Sequence, residues 1–325
     1  MINEKKLKMA YKKYVDNYAK GITPEYTKEE YDENWDEVQT IVRINDIEKD
    51  HILLIDLSSI LDYYMSLWKQ HILIQNSHQT ESFKIMQIAT TQSCFAQKLY
   101  TTRYPEMQVQ YTFERVVRAL IHFTIWGWEK EEKILFDFIS KHMGQHIMEG
   151  NEYQCHVWFL LEIYLRYRSQ TLLGSQKKLY QSIQTTFETK GIKNGLIPEH
   201  LGIYDNVLEN WDTTDAAVMN DLIAQLIEYH TVSVSDLGGD SEFSDYGYGF
   251  YPEEILFLLY VRTKMNLPVP EALDDFLMNT PEAQMTWSEP EPYPEWDPMM
   301  RRIDDFYRKN YPQYTPNHYG SLFES

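Results

Sequence analysis

Apolar residues recur at three- and four-residue intervals over the first two-thirds of this chain, and that spacing restricts it to helices. Leu53, Leu57, Ile60, Leu61, Tyr64, Trp68, His71 and Ile72 form one stripe over several turns, the period of a helix with one buried face. Phe113, Val116, Val117 and Leu120 repeat the pattern after a break at Pro105. Leu135, Phe138, Ile139 and Met143 do so behind the charged run Glu129 to Lys133. Tyr153, Val157, Leu160, Leu161, Tyr164 and Leu165 form a further stripe that Gly174 is placed to end. Less regular helices are expected over 3–20, 28–48, 78–103 and 175–190. Strand alternation is scarce, so the expected fold is all-α: an irregular multi-helix bundle in two subdomains, with an acidic, loop-rich C-terminal region.

Two glycines and a proline fall within Lys190 to Pro198, the composition of a linker or long turn. It suggests a helical N-terminal domain over 1–195 and an acidic helical C-terminal domain over 196–325. Beyond the turn, Asp212 is placed to cap a helix whose third position is Asp215. That helix would bury Val218, Leu222, Ile223, Leu226 and Ile227 and end near His230, with Val232-Ser233-Val234 strand-like behind it. Residues 236–249 read as a loop. Pro252 suits a first helical position, Glu253 and Glu254 complete the turn, and Ile255 to Val261, apolar on every side, belong in a core, with Pro268 and Pro270 ending the helix. The segment Trp287 to Pro298 favours extended polyproline geometry at the surface. Asp297 and Pro298 then restart a helix carrying Ile303, Phe306 and Tyr307.

Charge is distributed unevenly. The formal net charge is −19, yet Met1 to Pro198 holds 24 Lys and Arg against 25 Asp and Glu. From Glu199 to Met299 there are 21 acids and two bases, Arg262 and Lys264. Such a surface repels nucleic acid, whose phosphates need Lys and Arg. It attracts basic proteins and speeds their association. The densest apolar runs, such as Ile255 to Val261, fall far short of the roughly 20 residues of a membrane span. The charged start, Met1 to Lys8, has no apolar run behind it and so does not read as a signal peptide. Two isolated cysteines, Cys94 and Cys155, suit a reducing compartment. A cytoplasmic protein that engages neither nucleic acid nor membrane is expected.

His142, His146 and Glu149 share the spacing of metal ligands on one helix face. That face continues the stripe of Leu135 and Ile139, and no Glu follows the first His, so core histidines are the expected reading. Asp236, Asp240, Glu242 and Asp245 lack the ligand order of a helix-loop-helix calcium site. No glycine-rich phosphate loop or nucleophile elbow occurs, and the acid pairs Asp274-Asp275 and Asp304-Asp305 diverge on a helix. No catalytic residue, metal ligand or cofactor is therefore assigned, and the chain is expected not to be an enzyme. The pattern that suits partner binding is acid interleaved with aromatics. Tyr246, Tyr248, Phe250 and Tyr251 neighbour the acidic loop; Trp287, Tyr293 and Trp296 neighbour Glu289, Glu291, Glu295 and Asp297. Tyr and Trp anchor interfaces and carboxylates receive arginine. The contact set expected is Asp236, Asp240, Glu242, Asp245, Tyr246, Tyr248, Glu289, Glu291, Tyr293, Glu295 and Trp296.

The run Gly249-Phe250-Tyr251-Pro252-Glu253-Glu254-Ile255-Leu256-Phe257-Leu258-Leu259-Tyr260, followed by Arg262 and Leu267-Pro268-Val269-Pro270, resembles the C-terminal part of helical immunity proteins. These neutralise polymorphic toxins, including Rhs-type effectors of type VI secretion systems. Tyr204 to Trp211 and the helix after Asp212 are similar too, and the acidic helical character resembles PoNi-like immunity proteins that bind nuclease toxins. The resemblance covers the last third of the chain and implies an immunity protein that binds a cognate secreted toxin, a basic protein, and occludes its active site or substrate entry. The alternatives are an acidic adaptor for another basic protein and a helical hydrolase.

Overall fold

A computed structural model describes residues 4–106, 113–142, 154–168 and 200–324, the side chain of Ser58 apart. They contain eleven α-helices and no strand. The helices are α1 (Glu4–Lys20), α2 (Pro24–Ile44), α3 (Asp50–Lys69), α4 (Glu81–Arg103), α5 (Phe113–Ile125) and α6 (Glu129–His142). Then follow α7 (Cys155–Arg168), α8 (Ile203–Glu209), α9 (Ala216–Val234), α10 (Glu253–Lys264) and α11 (Pro298–Asn310). The expected all-α architecture is what the structure shows. Tyr153, Gly174, the helix expected over 175–190 and the turn at Lys190 to Pro198 lie outside the described residues.

The chain forms two compact units. Unit 1 comprises Met1–Asn17 with Gly150–Trp287, and unit 2 comprises Tyr18–Glu149 with Ser288–Ser325. This partition differs from a single cut at 195/196. Its cause is packing between segments distant in sequence: α11 packs on α2, α3 and α4, and α7 packs on α8 and α10.

In unit 2, Thr23 caps α2 by accepting from the Tyr26 N–H, Pro24 takes the first helical position, and Asn45 ends the helix in the left-handed region at φ 55°. Helix α4 is buried on nearly every side. That explains why its sequence carries no clean stripe. Its threonines Thr90, Thr91 and Thr101 satisfy their hydroxyls on carbonyls one turn back. Asp297 caps α11 through the Met300 N–H at 2.9 Å, as its position before Pro298 predicts. Its other carboxylate oxygen accepts from the hydroxyls of Tyr31 and Tyr64 at 2.6 and 2.8 Å, tying α11 to α2 and α3. At the far end, the Asp50 carboxylate accepts from Arg103 at 2.5 Å and from the Tyr311 hydroxyl.

In unit 1, the cap of α9 is Asp215, not Asp212; its carboxylate accepts from the N–H groups of Ala217 and Val218. The helix runs past His230 to Val234, so Val232-Ser233-Val234 is helical. Tertiary burial of Thr231, Ser233 and Val234 overrides their weak helix propensity. Leu222, Ile223, Leu226 and Ile227 are buried as expected, whereas Val218 is 39 % exposed. Pro252 sits just before α10, and the helix ends at Lys264, ahead of Pro268. Phe250, expected near an interface, is buried against the rings of Tyr11 and Tyr14, both centroids 5.0 Å away.

Candidate functional site

The two acid-and-aromatic stretches belong to different units. In unit 1 the loop 236–249 is held from beneath by histidines. Glu242 Oε1 accepts from the His156 backbone N–H at 2.6 Å and lies 2.9 Å from His156 Nδ1; Glu242 Oε2 accepts from the Tyr229 hydroxyl at 2.7 Å. Burial pushes the Glu242 carboxyl up, but the bonds from His156 and Tyr229 outweigh it and hold it below the ordinary range. The same carboxylate, after burial itself, pushes the Tyr229 hydroxyl up.

A second buried histidine closes the loop's far end. His230 Nε2 donates to the Gly249 carbonyl at 2.8 Å, and Nδ1 lies 2.7 Å from Glu254 Oε1. The Phe243 ring stacks on His230 at 3.8 Å. Gly249 has to be glycine here, because a Cβ would lie 2.5 Å from the Asp245 carbonyl oxygen. Glu253 and Glu254, which complete the first turn of α10, are both buried. Sequence reasoning missed these histidine–glutamate pairs because His156 and Glu242 are 86 residues apart. Among the described residues no three His, Cys, Asp or Glu side chains gather closely enough to hold a metal ion. His142 is buried against Phe138; His146 and Glu149 lie outside the described residues.

Three acids of the loop face outward. Asp236 is exposed and pairs with Lys6 at 3.4 Å, Asp240 is exposed, and Asp245, also exposed, accepts from the Tyr248 N–H at 2.6 Å. Tyr246 and Tyr248 are half-buried.

The stretch 288–297 of unit 2 is a strap bonded into its unit. The Glu291 N–H donates to the Trp126 carbonyl at 2.8 Å, and Trp128 Nε1 donates to the Glu291 carbonyl at 2.6 Å. The buried Lys84 ammonium donates to Glu291 Oε1 at 3.2 Å and to the Pro292 carbonyl at 3.0 Å. Tyr293 packs on Trp128 at 4.6 Å and donates to Glu131. Trp296 is buried and donates to the Phe323 carbonyl. Glu291, Tyr293 and Trp296 therefore hold the strap down, while Glu289 and Glu295 are exposed.

Of the two bases of the acidic third, only Lys264 is exposed. Arg262 is 0 % exposed; its guanidinium donates to the carbonyls of Trp211, Thr213 and Pro268 at 2.5–2.9 Å, and burial pulls its pKa down against the opposing Asp212 charge. Lys264 lies over the Tyr260 ring. In the same third of the chain Asp212, Asp221, Glu228, Asp240, Glu271 and Asp274 are exposed. Comparison of the chain with protein-family models, with curated proteins and with solved structures finds no match.

Proposed function

We propose that this chain binds a basic protein partner through the carboxylate surface of unit 1, and that it acts as an immunity protein neutralising a cognate secreted toxin. The observation that carries the binding reading is Arg262. One of the two bases between Glu199 and Met299 is buried on backbone carbonyls, so the exposed acids of that region keep their charge. A net excess of carboxylates raises the rate of encounter with a basic surface, and salt weakens the effect. The resemblance of Gly249 to Tyr260 to helical immunity proteins supplies the toxin as the partner.

The contact set narrows with the geometry. Asp236, Asp240 and Asp245 face solvent on unit 1 and suit contact, whereas Glu289 and Glu295, also exposed, belong to unit 2. Glu242, Glu291, Tyr293 and Trp296 instead position the segments that carry them. The test is co-expression with a basic toxin domain of the class that helical immunity proteins neutralise, taken from the neighbourhood of the gene. The expected result is rescue of growth and a complex that co-purifies, with binding weakened by Asp236→Lys combined with Asp240→Lys. Absence of both rescue and complex would refute the toxin reading.

A further inference from the structure

Helix α1 of unit 1 divides cleanly by face. Leu7, Ala10 and Tyr14 recur at i, i+3 and i+7 and are buried, and the Tyr14 hydroxyl donates to Glu282 at 2.8 Å. The opposite face carries Lys5, Lys8, Met9 and Lys12 at i, i+3, i+4 and i+7, flanked by Lys6 and Lys13, and all six are exposed. Its lysines are five of the nine Lys and Arg among the described residues of unit 1. Lys6 pairs with Asp236 at 3.4 Å and Lys8 with Glu4 at 3.5 Å. The side chains of Lys5, Lys12 and Lys13 have no hydrogen bond, ion pair or ring contact among the described residues.

This arrangement costs the helix stability. Lys5 and Lys6 lie in the first turn, where the helix dipole favours acids and disfavours cations. Lys5 with Lys8, and Lys8 with Lys12, are like-charge neighbours three and four residues apart, which repel one another. An exposed position needs no base for packing, and a local rule broken without an internal gain marks a functional surface.

We propose that the lysine face of α1 docks a short acidic segment of a protein, whose carboxylates take the ammonium groups of Lys5, Lys12 and Lys13. Size and surroundings favour a peptide over nucleic acid or an anionic membrane. The ridge from Lys5 to Lys13 is about 12 Å long, and the Lys6–Asp236 pair sets the acidic loop beside it. A stiff duplex or a membrane sheet extends past the ridge onto those carboxylates and is repelled, whereas a short peptide stays within it. The proposal is independent of the partner-binding reading, which concerns the carboxylates and a basic surface.

The test follows the methyl signals of the full-length chain with its lysines ¹³C-methylated, which keeps their charge. Tetraglutamate, a DNA duplex several times longer than the ridge and phosphatidylserine vesicles are titrated separately at matched ionic strength. A net charge of −19 repels anions in general, so saturable shifts of Lys5, Lys12 and Lys13 with tetraglutamate, the expected result, report a local site. Lys12→Gln combined with Lys13→Gln should weaken that binding roughly fivefold, the scale of two exposed ion pairs, with the unfolding temperature kept. Lys49→Gln, at an exposed lysine of unit 2, should leave it unchanged. Absence of saturable shifts, binding retained in the double variant, or tighter binding of the duplex or the vesicles would overturn the proposal.

Discussion

Glu242 and Asp240 stand two residues apart in one acidic loop, and the structure assigns them opposite roles. Replacing Glu242 by Ala removes the acceptor for the His156 N–H, the His156 ring and the Tyr229 hydroxyl. Hydrogen bonds to a charged group contribute about 1.5–3 kcal/mol each, and stranded buried donors add a penalty. Tyr229 is partly exposed and recovers water, so the expected loss is about 3 kcal/mol. Glu242→Gln keeps one acceptor oxygen and should lose about half as much. Asp240→Ala should fall within about 0.5 kcal/mol of the parent. Urea unfolding would read the totals, and hydrogen exchange over 239–246 would read the loop locally. The Glu242 contribution should also depend on pH. Its folded carboxyl sits below the unfolded value of 4.5. The stabilisation is therefore fully present above that value and is lost as pH falls through the folded one. If Glu242→Ala is no more destabilising than Asp240→Ala at pH 7, the anchoring role is refuted.

Three further outcomes are expected. Arg262→Met should destabilise unit 1 by about 2 kcal/mol, because it strands three partly buried carbonyls, with faster exchange near Thr213 as the local readout. Lys84→Met should free the strap, exposing the Trp128 indole that it covers; a red shift in tryptophan emission and proteolysis within 288–296 would report it, and unchanged emission would count against the strap's dependence on Lys84. Asp56 is buried with one carboxylate oxygen lacking a partner, and burial, then the Glu37 charge, pushes it up to about 7. A raised carboxyl destabilises the fold as pH rises from its unfolded value through 7. Asp56→Asn should therefore stabilise by up to about 4 kcal/mol at pH 8 and be near neutral at pH 4, read by thermal unfolding across pH.

Much of the fold was legible because it rests on local periodicity. The stripe from Leu53 to Trp68 becomes α3, and Asp297 before Pro298 opens α11. What sequence could not show is which charged residues turn inward. Glu253 and Glu254 look like any acidic helix start, and only the tertiary arrival of His156 and His230 makes them core residues. The Trp287 to Pro298 stretch likewise reads as surface polyproline until Lys84, Trp126 and Trp128, more than 160 residues away, bond it down. Exposure of Val218 and Val232, at 39 % and 54 %, was hidden for the same reason. An apolar residue on a helix names a face only after its neighbours are known.

Hydrogen exchange on the chain with and without the proposed basic partner tests the central reading most directly. Protection on binding should concentrate within 200–287, around the loop that holds Asp236, Asp240 and Asp245, and should weaken as salt rises. Protection confined to α2 through α6, with 200–287 exchanging as in the unbound chain, would contradict it.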